Sequence, residues 1–272
     1  MSDFNIGFVI FPGITQLDFT GPFEVLSRLA TPPSISAPSK FPQSRTHVVA
    51  KTMLPVSSDR GLGIMPTCAF ENCPSLDLIC VPGGAGVVEA LADDETVDFI
   101  RRQGRQAQYV TSVCMGAFLL GAAGLLKGRR AATHWAYVDL LPLVGAIHEK
   151  ARVVRDGNVF TAGGVTSGID FAFRIVAELA GPEVAQAIQL GIEYDPSPPF
   201  DAVSTTAANL SRAVQPSGPD LLSGKSLPFA LASARHRESA PFEMPSSRES
   251  CCRGTLFGGS IFASTAAFRS DE

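Results

Sequence analysis

The sequence has few charged residues and no concentration of positive charge. Asp, Glu, Lys and Arg make up 18% of the 272 residues, and the formal net charge is −4. The basic residues cluster no further than pairs such as Arg101-Arg102 and Arg129-Arg130. Nucleic-acid-binding proteins generally carry a basic patch that neutralises phosphates. We therefore expect no nucleic-acid partner.

Metal-ligand and nucleotide-binding patterns are also lacking. The six cysteines include no CxxC pair and the four histidines are scattered, so the spacings typical of zinc sites do not occur. The dinucleotide pattern GxGxxG fails, because counting from Gly84 places Glu89 at its third glycine. We predict no metal and no nucleotide cofactor, and expect any cysteine chemistry to come from one reactive thiol.

Neither a membrane span nor a secretory signal is evident. The longest apolar stretch, 117–126, is about half of the ~20 residues that a membrane helix needs. The apolar run at the N-terminus has no basic segment before it and is typical of a first strand. We expect no membrane partner and a cytoplasmic location, where disulfide frameworks are rare.

What the sequence does have is a large apolar fraction, 45%, arranged in short runs. Continuous apolar runs predict strands buried on both faces at 4–11, 76–81 and 109–113, with a further strand at 46–52. Helices are predicted after Pro22 and at 96–106, 115–126, 166–179 and 183–193, and Asp156-Gly157 predicts a hairpin over 152–161. This alternation predicts an α/β fold with a parallel sheet covered on both faces.

Residues 1–200 are predicted to form one α/β domain. Within it, residues 31–44 are rich in Pro and Ser, which predicts a surface insertion. Residues 201–272 are again rich in Ser and Pro and show no sustained periodicity. We expect an irregular C-terminal tail.

A cysteine stands where a buried strand runs directly into a helix. In the segment VTSVCMGAF, residues 110–118, Cys114 occupies the turn. This is the arrangement of a nucleophile elbow with Cys in place of Ser. The positive end of a helix favours the thiolate, so we expect Cys114 to have a lowered pKa. The alternative is a small apolar side chain that packs between strand and helix.

Two other strand ends carry groups that could act with Cys114. Asp18 follows the first strand and could serve as an acid/base beside the thiol, or it could only complement a helix dipole. Gly84 follows the second strand, and its N–H could stabilise developing negative charge, or it could only form a turn. Because parallel strands end at one edge of the sheet, these loops are expected to meet.

The other histidine and cysteine candidates give weaker signals. His134 precedes the single Trp and could orient Cys114 or serve as a packing residue. Cys80 lies inside a predicted buried strand and should be a core residue. Cys68 and Cys73 are predicted in a loop or at an edge, with no partner motif.

Four segments together resemble the ThiJ/PfpI superfamily (class I glutamine amidotransferase-like), and within it most closely the isonitrile hydratase branch. They are FNIGFVIFPGITQLDFTGPFEVL, DLICVPGGAGV, YVTSVCMGAFLLGAAGLLKGRRAATHWAY and VFTAGGVTSGIDFAFRIVAELAG. The resemblance covers about residues 4–200 apart from the insertion. The QLDFTGP loop, with Asp18 where many relatives carry Glu, points most narrowly to the hydratases.

The resemblance implies a flavodoxin-like three-layer sandwich, usually a homodimer, and a cysteine enzyme without a cofactor that acts on a small molecule. Cys114 would attack the isonitrile carbon to give a thioimidate, Asp18 would handle the protons, and water would release an N-substituted formamide. The residues that would stabilise charge or contact substrate are Gly84, Met115 through its N–H, Gly163 and Val165.

Other functions remain open at this stage. Hydratases commonly have Thr after the cysteine and the peptidase-like branch has His, so Met115 argues against proteolysis and leaves the substrate open. A glyoxalase-type reaction on small 2-oxoaldehydes would use the same Cys and carboxyl pair. A non-enzymatic redox-sensing or regulatory role needs only the reactive thiol. AraC-type regulators carry a similar domain, but the Ser/Pro-rich tail does not match their helix–turn–helix units.

Overall fold

A computed structural model describes residues 3–30 and 43–200 of the chain. Within these residues the strands are β1 Phe4–Val9, β2 Ser44–Ala50, β3 Val56–Ser57, β4 Gly63–Ile64, β5 Cys68–Ala69, β6 Leu78–Val81, β7 Tyr109–Val113, β8 Arg130–Ala131, β9 Ile147–His148, β10 Val153–Asp156 and β11 Val159–Ala162. The α-helices are α1 Gln16–Leu26, α2 Val87–Ala92, α3 Asp94–Gln106, α4 Gly116–Ala122, α5 Ser167–Ala180 and α6 Pro182–Gly191. The 3₁₀ segments are Ser27–Ala30, Phe70–Asn72 and Trp135–Val144.

Seven of the strands form one sheet in the order β10-β11-β7-β6-β1-β2-β5. The β10–β11 pair is antiparallel and every other neighbouring pair is parallel. Helices α1, α5 and α6 pack together, as do α2, α3 and α4, so the sheet lies between two helical layers. This confirms the predicted α/β sandwich with a mostly parallel central sheet. Among the residues described, none of the helices is long and apolar enough to cross a membrane.

The central strands β1, β6 and β7 are buried on both faces. The side chains of Ile6, Phe8, Leu78, Ile79 and Val113 are each 0% exposed. Alternate side chains of such a strand point into opposite helical layers, so both sets must be apolar. The predicted buried runs are confirmed, with β7 at the predicted residues and the other two strands shorter by two residues at one end.

The first helix begins earlier than the sequence indicates. A helix start was predicted after Pro22, whereas α1 spans Gln16–Leu26 with Pro22 inside it. The fixed φ of proline fits a helix, and only the hydrogen bond to the carbonyl four residues earlier is lost. The rings of Phe19 and Phe23 make edge-to-face contacts with Phe8 of β1. The prediction was wrong because burial of this helix face outweighs one missing hydrogen bond.

The other predicted elements agree with the structure to within two residues, except at one helix end. Helix α4 ends four residues before the predicted residue 126, because Gly124 adopts a left-handed φ of 75°. The predicted hairpin is present, with Gly157 at φ 62° between β10 and β11.

The predicted insertion and tail fall largely outside the described residues. Ser44 is buried and begins β2, so the predicted boundary of the insertion, 31–44, extends too far at its C-terminal end. Residues 31–42 and the predicted tail, 201–272, are not among the residues that the structure describes.

Helix α4 starts so close to β6 that its first residue must be glycine. A Cβ on Gly116 would lie 2.0 Å from the carbonyl oxygen of Val81. We therefore expect Gly116→Ala to lower the free energy of unfolding by at least ~1–3 kcal/mol, since backbone cannot move aside as a side chain can. Urea unfolding would measure this.

Gly191→Ala is the matched control for that variant. Gly191 ends α6, and a Cβ there would meet nothing within 4 Å. This variant should be neutral or more stable by up to about 1 kcal/mol, because alanine favours the helix. Equal effects of the two substitutions would contradict the close approach of α4 to β6.

Candidate active site

Three loops meet at the carboxyl ends of the neighbouring strands β1, β6 and β7. Asp18 lies in the first turn of α1, Gly83 lies between β6 and α2, and Cys114 lies between β7 and α4. The N–H of Gly83 donates a hydrogen bond of 2.9 Å to Asp18 Oδ2. A Cβ built on Gly83 would lie 3.0 Å from the Cβ of Cys114. The structure therefore brings these loops together at one edge, as their strand positions predicted.

Cys114 occupies a strained turn. Its φ is +55°, in the left-handed region that costs energy for any residue with a side chain. Its N–H is shared between the carbonyl oxygens of Ala162, at 3.0 Å, and Gly163, at 2.9 Å. Its own carbonyl accepts a hydrogen bond of 2.7 Å from Thr133 Oγ1. These bonds hold the backbone in the conformation of a nucleophile elbow.

The glycine beside Asp18 and Cys114 is Gly83. A Cβ at this position would lie 2.5 Å from the backbone nitrogen of Met115, so no other residue fits without displacing the elbow. A Cβ on Gly84, which has φ +129°, would instead lie 2.3 Å from the backbone nitrogen of Thr15. Sequence reasoning could not choose between adjacent glycines of one turn, and the charge-stabilising role of Gly84 stays a prediction.

The carboxyl of Asp18 is buried, and only one of its two oxygens accepts a hydrogen bond from the backbone. Its side chain is 0% exposed, and Oδ1 has no hydrogen-bond partner among the described residues. Burial raises the pKa of Asp18 from 3.8 to about 7, and the N–H of Gly83 and the thiol of Cys114 oppose this rise. Near neutral pH this carboxyl can therefore both hold and release a proton.

The thiol of Cys114 does not have the lowered pKa that the sequence predicted. Burial, followed by the negative charge of Asp18, raises its pKa well above 9.0, and the N–H of Met115 only partly opposes this. The prediction was wrong because it counted the helix N-terminus and left out desolvation. Ionising both acidic groups in one buried site costs much free energy. The two groups therefore titrate as a coupled pair and not independently. Over a range of pH the Asp18–Cys114 pair carries one proton between them.

A second carboxylate, Asp59, lies close enough to act on this pair. It is exposed in the β3–β4 loop, where its N–H donates to the carbonyl of Ile14 and its Oδ2 accepts from Thr15 Oγ1 over 2.7 Å. Its negative charge raises the pKa of both Asp18 and Cys114. Nothing in the sequence marks Asp59, because it lies on a hairpin and not at the end of a sheet strand.

Two of the other predicted substrate contacts, Met115 and Gly163, interact directly with the cysteine. Met115 is 3% exposed, and its backbone N–H interacts with the Cys114 sulfur. Gly163 supports the elbow through its carbonyl, and Val165 is half-buried in the turn before α5. A substrate at the sulfur would therefore lie beside the backbone N–H of Met115, and the contact with Val165 stays a prediction.

His134 is the N-cap of the 3₁₀ segment Trp135–Val144. Its Nδ1 accepts a hydrogen bond of 3.3 Å from the N–H of Ala136, and its ring contacts Trp135 and Tyr137. Burial lowers its pKa. Its predicted role in orienting the thiol stays a prediction.

Tyr137 is a neighbour of the site that the sequence did not reveal. The residue is buried, and its pKa is raised by burial and by the charge of Cys114.

A cavity of about 680 Å³ opens at the carboxyl ends of β1 and β2, with an apolar floor that includes Ile10, Phe11 and Val56. Neither Asp18 nor Cys114 lines it, so it is distinct from the pair. Within residues 3–30 and 43–200, no group of three or more His, Cys, Asp or Glu side chains could hold a metal ion.

The sequence profile of the DJ-1/PfpI family matches residues 5–178. The isonitrile hydratase of Pseudomonas putida is 55% identical over 204 residues, which cover 75% of this chain and 84% of that protein. A crystal structure of a ThiJ/PfpI family protein from Pseudomonas syringae has 42% identity and a TM-score of 0.71, and the match covers 78% of this chain and 85% of that one.

Transcription regulators share the domain over part of their length. The HTH-type regulator GbdR of Pseudomonas aeruginosa is 29% identical over 195 residues, which cover 70% of this chain but 51% of the regulator. The match therefore leaves about half of the regulator without a counterpart in this chain.

Burial of Asp18 predicts a pH-dependent effect of Asp18→Asn on stability. A pKa that is higher in the folded chain than in the unfolded chain means that stability is fully present below about pH 3.8 and is lost as the pH rises through about 7. Asn cannot ionise, so the variant does not lose this stability. Between pH 4 and 8, the free energy of unfolding of Asp18→Asn should therefore rise relative to that of the wild type by up to about 4 kcal/mol.

Thermal unfolding of both proteins across this pH range would test the expectation. Asp139→Asn, at an exposed carboxyl of the segment Trp135–Val144, changes the net charge equally and serves as the control. If the difference in stability between Asp18→Asn and wild type did not vary with pH, folding would not raise the pKa of Asp18.

Proposed function

Because this chain belongs to the DJ-1/PfpI family, we propose that it is a cysteine enzyme that hydrates isonitriles to N-substituted formamides. The observation that carries the proposal is the 55% identity with the Pseudomonas putida isonitrile hydratase over 204 residues. The family match over residues 5–178 includes both Asp18 and Cys114. The chemistry of the Asp18–Cys114 pair supports it independently. The substrate is a small molecule, and the reaction needs only the isonitrile and water.

In the first step the sulfur of Cys114 bonds to the terminal carbon of the isonitrile, R–N≡C. This addition leaves a lone pair on that carbon, which must take up a proton. The one-proton state of the Asp18–Cys114 pair supplies both partners, because Asp18 delivers the shared proton while the sulfur attacks. The product is a thioimidate, R–N=CH–S–Cys.

In the second step water adds to the thioimidate carbon. The carboxylate of Asp18, which has given up its proton, accepts one from this water and passes it to the substrate nitrogen, so that Asp18 is a carboxylate again. The C–S bond then breaks, the hydroxyl becomes the formamide carbonyl, and its proton returns to the pair. One isonitrile and one water have become one N-substituted formamide, and the enzyme is regenerated.

Two backbone groups assist these steps. The N–H of Met115 stabilises negative charge on the sulfur as the C–S bond forms or breaks. The N–H of Gly83 fixes Asp18 through Oδ2, which leaves Oδ1 as the oxygen without a partner and able to exchange the proton. We expect the substituent R to contact Gly163 and Val165.

We also propose that the chain forms a homodimer. Large apolar side chains are exposed on the segment that contains the β3–β4 hairpin: Met53, Leu54, Leu62 and Met65 are 48–71% exposed. Burying such side chains against a second copy would remove apolar surface from water.

Turnover of methyl, cyclohexyl and aryl isonitriles by purified variants tests the catalytic roles. Cys114→Ala should abolish formamide production, because no nucleophile remains. Asp18→Asn should reduce kcat by ~10²–10⁴-fold, which is the usual contribution of a general acid. Cys80→Ala, a substitution of a buried thiol in β6, is the control and should keep the activity.

Methylglyoxal, assayed in parallel, distinguishes the glyoxalase-type alternative. Conversion of the 2-oxoaldehyde with a higher kcat/KM than any isonitrile would overturn the proposed substrate class. Near-normal turnover by Asp18→Asn would show that water or another group delivers the proton.

A further inference from the structure

The first turn of α1 contains a capping pattern whose usual hydrogen bonds do not form. Thr15 is the N-cap residue, and Asp18 follows three positions later, which is the spacing of a capping box. In that motif each of the two side chains accepts the backbone N–H of the other residue. Here the Thr15 side chain makes no cap hydrogen bond, and the Asp18 carboxyl accepts from Gly83 instead. Both side chains are therefore directed to partners outside the helix.

The peptide groups of Gly83 replace the missing half of the capping box. The Gly83 carbonyl accepts the N–H of Thr15, and the Gly83 N–H donates to Asp18 Oδ2, each over 2.9 Å. The N–H of Asp18 in turn donates to the carbonyl of Thr15 over 3.0 Å. These three hydrogen bonds close a ring, so the position of the Asp18 carboxyl depends on the position of Thr15.

The hydroxyl of Thr15 is bound from outside this ring by Asp59. Thr15 Oγ1 donates to Asp59 Oδ2 over 2.7 Å, and the N–H of Asp59 donates to the carbonyl of Ile14 over 2.8 Å. Thr15 is half-buried and Asp59 is exposed. Thr15 is therefore held between the β3–β4 hairpin on one side and Gly83 on the other.

The hairpin is itself docked on the turn between β1 and α1. The N–H of Gly13 donates to the carbonyl of Ser57 over 2.8 Å. Ile14 and Ser58 form a parallel bridge, and Ser58 Oγ donates to Gln16 Oε1 over 2.7 Å. Ser58 is buried, although the residues that follow it in the hairpin are exposed. These contacts fix the loop between β3 and β4 relative to the start of α1.

We propose that Thr15 and Asp59 are positioning residues of the Asp18–Cys114 pair. Asp59 holds the hydroxyl of Thr15, and Thr15 with Gly83 holds the Asp18 carboxyl in the orientation from which it exchanges the proton. Both residues act through Asp18. The inference deepens the proposed function, and it rests on that function for the turnover measurements alone.

Asp59 also acts through its charge. After the larger effect of burial, its carboxylate raises the pKa of Asp18 and of Cys114. The other titratable neighbours of the pair are Cys80 of β6, whose pKa is raised by burial and to a smaller extent by the charge of Asp18, and Tyr137, which interacts with Cys114. Substitutions that keep either the hydrogen bond or the charge therefore separate the two effects of Asp59.

Thr15→Val tests the hydrogen bond. Valine has the shape of threonine but cannot donate to Asp59, so Asp18 loses part of its support. We expect kcat for cyclohexyl isonitrile to fall about tenfold with KM nearly unchanged, because a misplaced general acid slows the chemical step more than binding. Thr15→Ser keeps the hydroxyl and should restore most of the wild-type kcat.

Asp59→Asn tests the charge. The amide oxygen can still accept from Thr15, so kcat at the optimum pH should stay within about twofold of wild type. Loss of the negative charge lowers the pKa of both members of the pair, so both limbs of the pH profile of kcat/KM should move to lower pH by about half a unit at low salt. The shift should shrink in about 1 M NaCl, because salt screens an exposed charge. Glu71→Gln, at an exposed carboxylate of the turn Phe70–Asn72, changes the net charge equally and should leave the profile in place.

Alkylation of Cys114 by iodoacetamide, located by peptide mass spectrometry, follows the pair without any isonitrile. Because the thiolate is the reacting form, the rate profile against pH should move to lower pH in Asp59→Asn. Thr15→Val should move it in the same direction although it removes no charge, since the Asp59 carboxylate is no longer held towards the site. If the wild type converts no isonitrile, the proposed reaction fails, and the alkylation profiles still decide this inference.

The inference is overturned if Thr15→Val keeps both the wild-type kcat and the wild-type alkylation profile. It is also overturned if Asp59→Asn and Glu71→Gln give the same alkylation profile. If Thr15→Val does not fold, Asp59→Ala removes the same hydrogen bond from its exposed side. That variant should then show both the loss in kcat and the shift to lower pH, and a wild-type kcat in Asp59→Ala would equally overturn the inference.

Discussion

The site depends on the contact between a carboxyl and a thiol that are both taken out of water. Asp18 is fully buried and Cys114 is 6% exposed, so neither group ionises cheaply and each opposes the ionisation of the other. The consequence is a pair that carries one proton over a range of pH. Addition of a thiol across an isonitrile carbon needs one sulfur and one proton, which is what this pair provides.

The fold supplies the constraints that keep this pair in place. The left-handed turn at Cys114 is held by the loop after β11 and by Thr133, and Gly83 leaves room for the elbow while its N–H binds Asp18. Helix α1 keeps its place despite an internal proline because its aromatic side chains pack on β1. These features cost stability locally, and the apolar core of the sheet offsets that cost.

The central strands and the turn that carries Cys114 could be predicted from the sequence. Buried parallel strands have continuous apolar runs, so β7, the elbow and the edge shared with Asp18 follow from local pattern. The pKa of Cys114 could not be predicted, because desolvation depends on the surrounding tertiary structure. The influence of Asp59 could not be predicted either, since a hairpin packed on a distant loop leaves no periodic signal in the sequence. The predicted start of α1 was wrong because rules based on the local sequence do not include the contact of Phe19 with Phe8.

The most direct test of the account is the mass of the enzyme during turnover. Rapid acid quenching of the protein with saturating cyclohexyl isonitrile should reveal a species heavier by one isonitrile molecule, with the added mass located at Cys114. This species should form and decay at rates consistent with formamide release. Formamide production without any adduct at Cys114, or with an adduct at another cysteine, would contradict the central role of the Asp18–Cys114 pair.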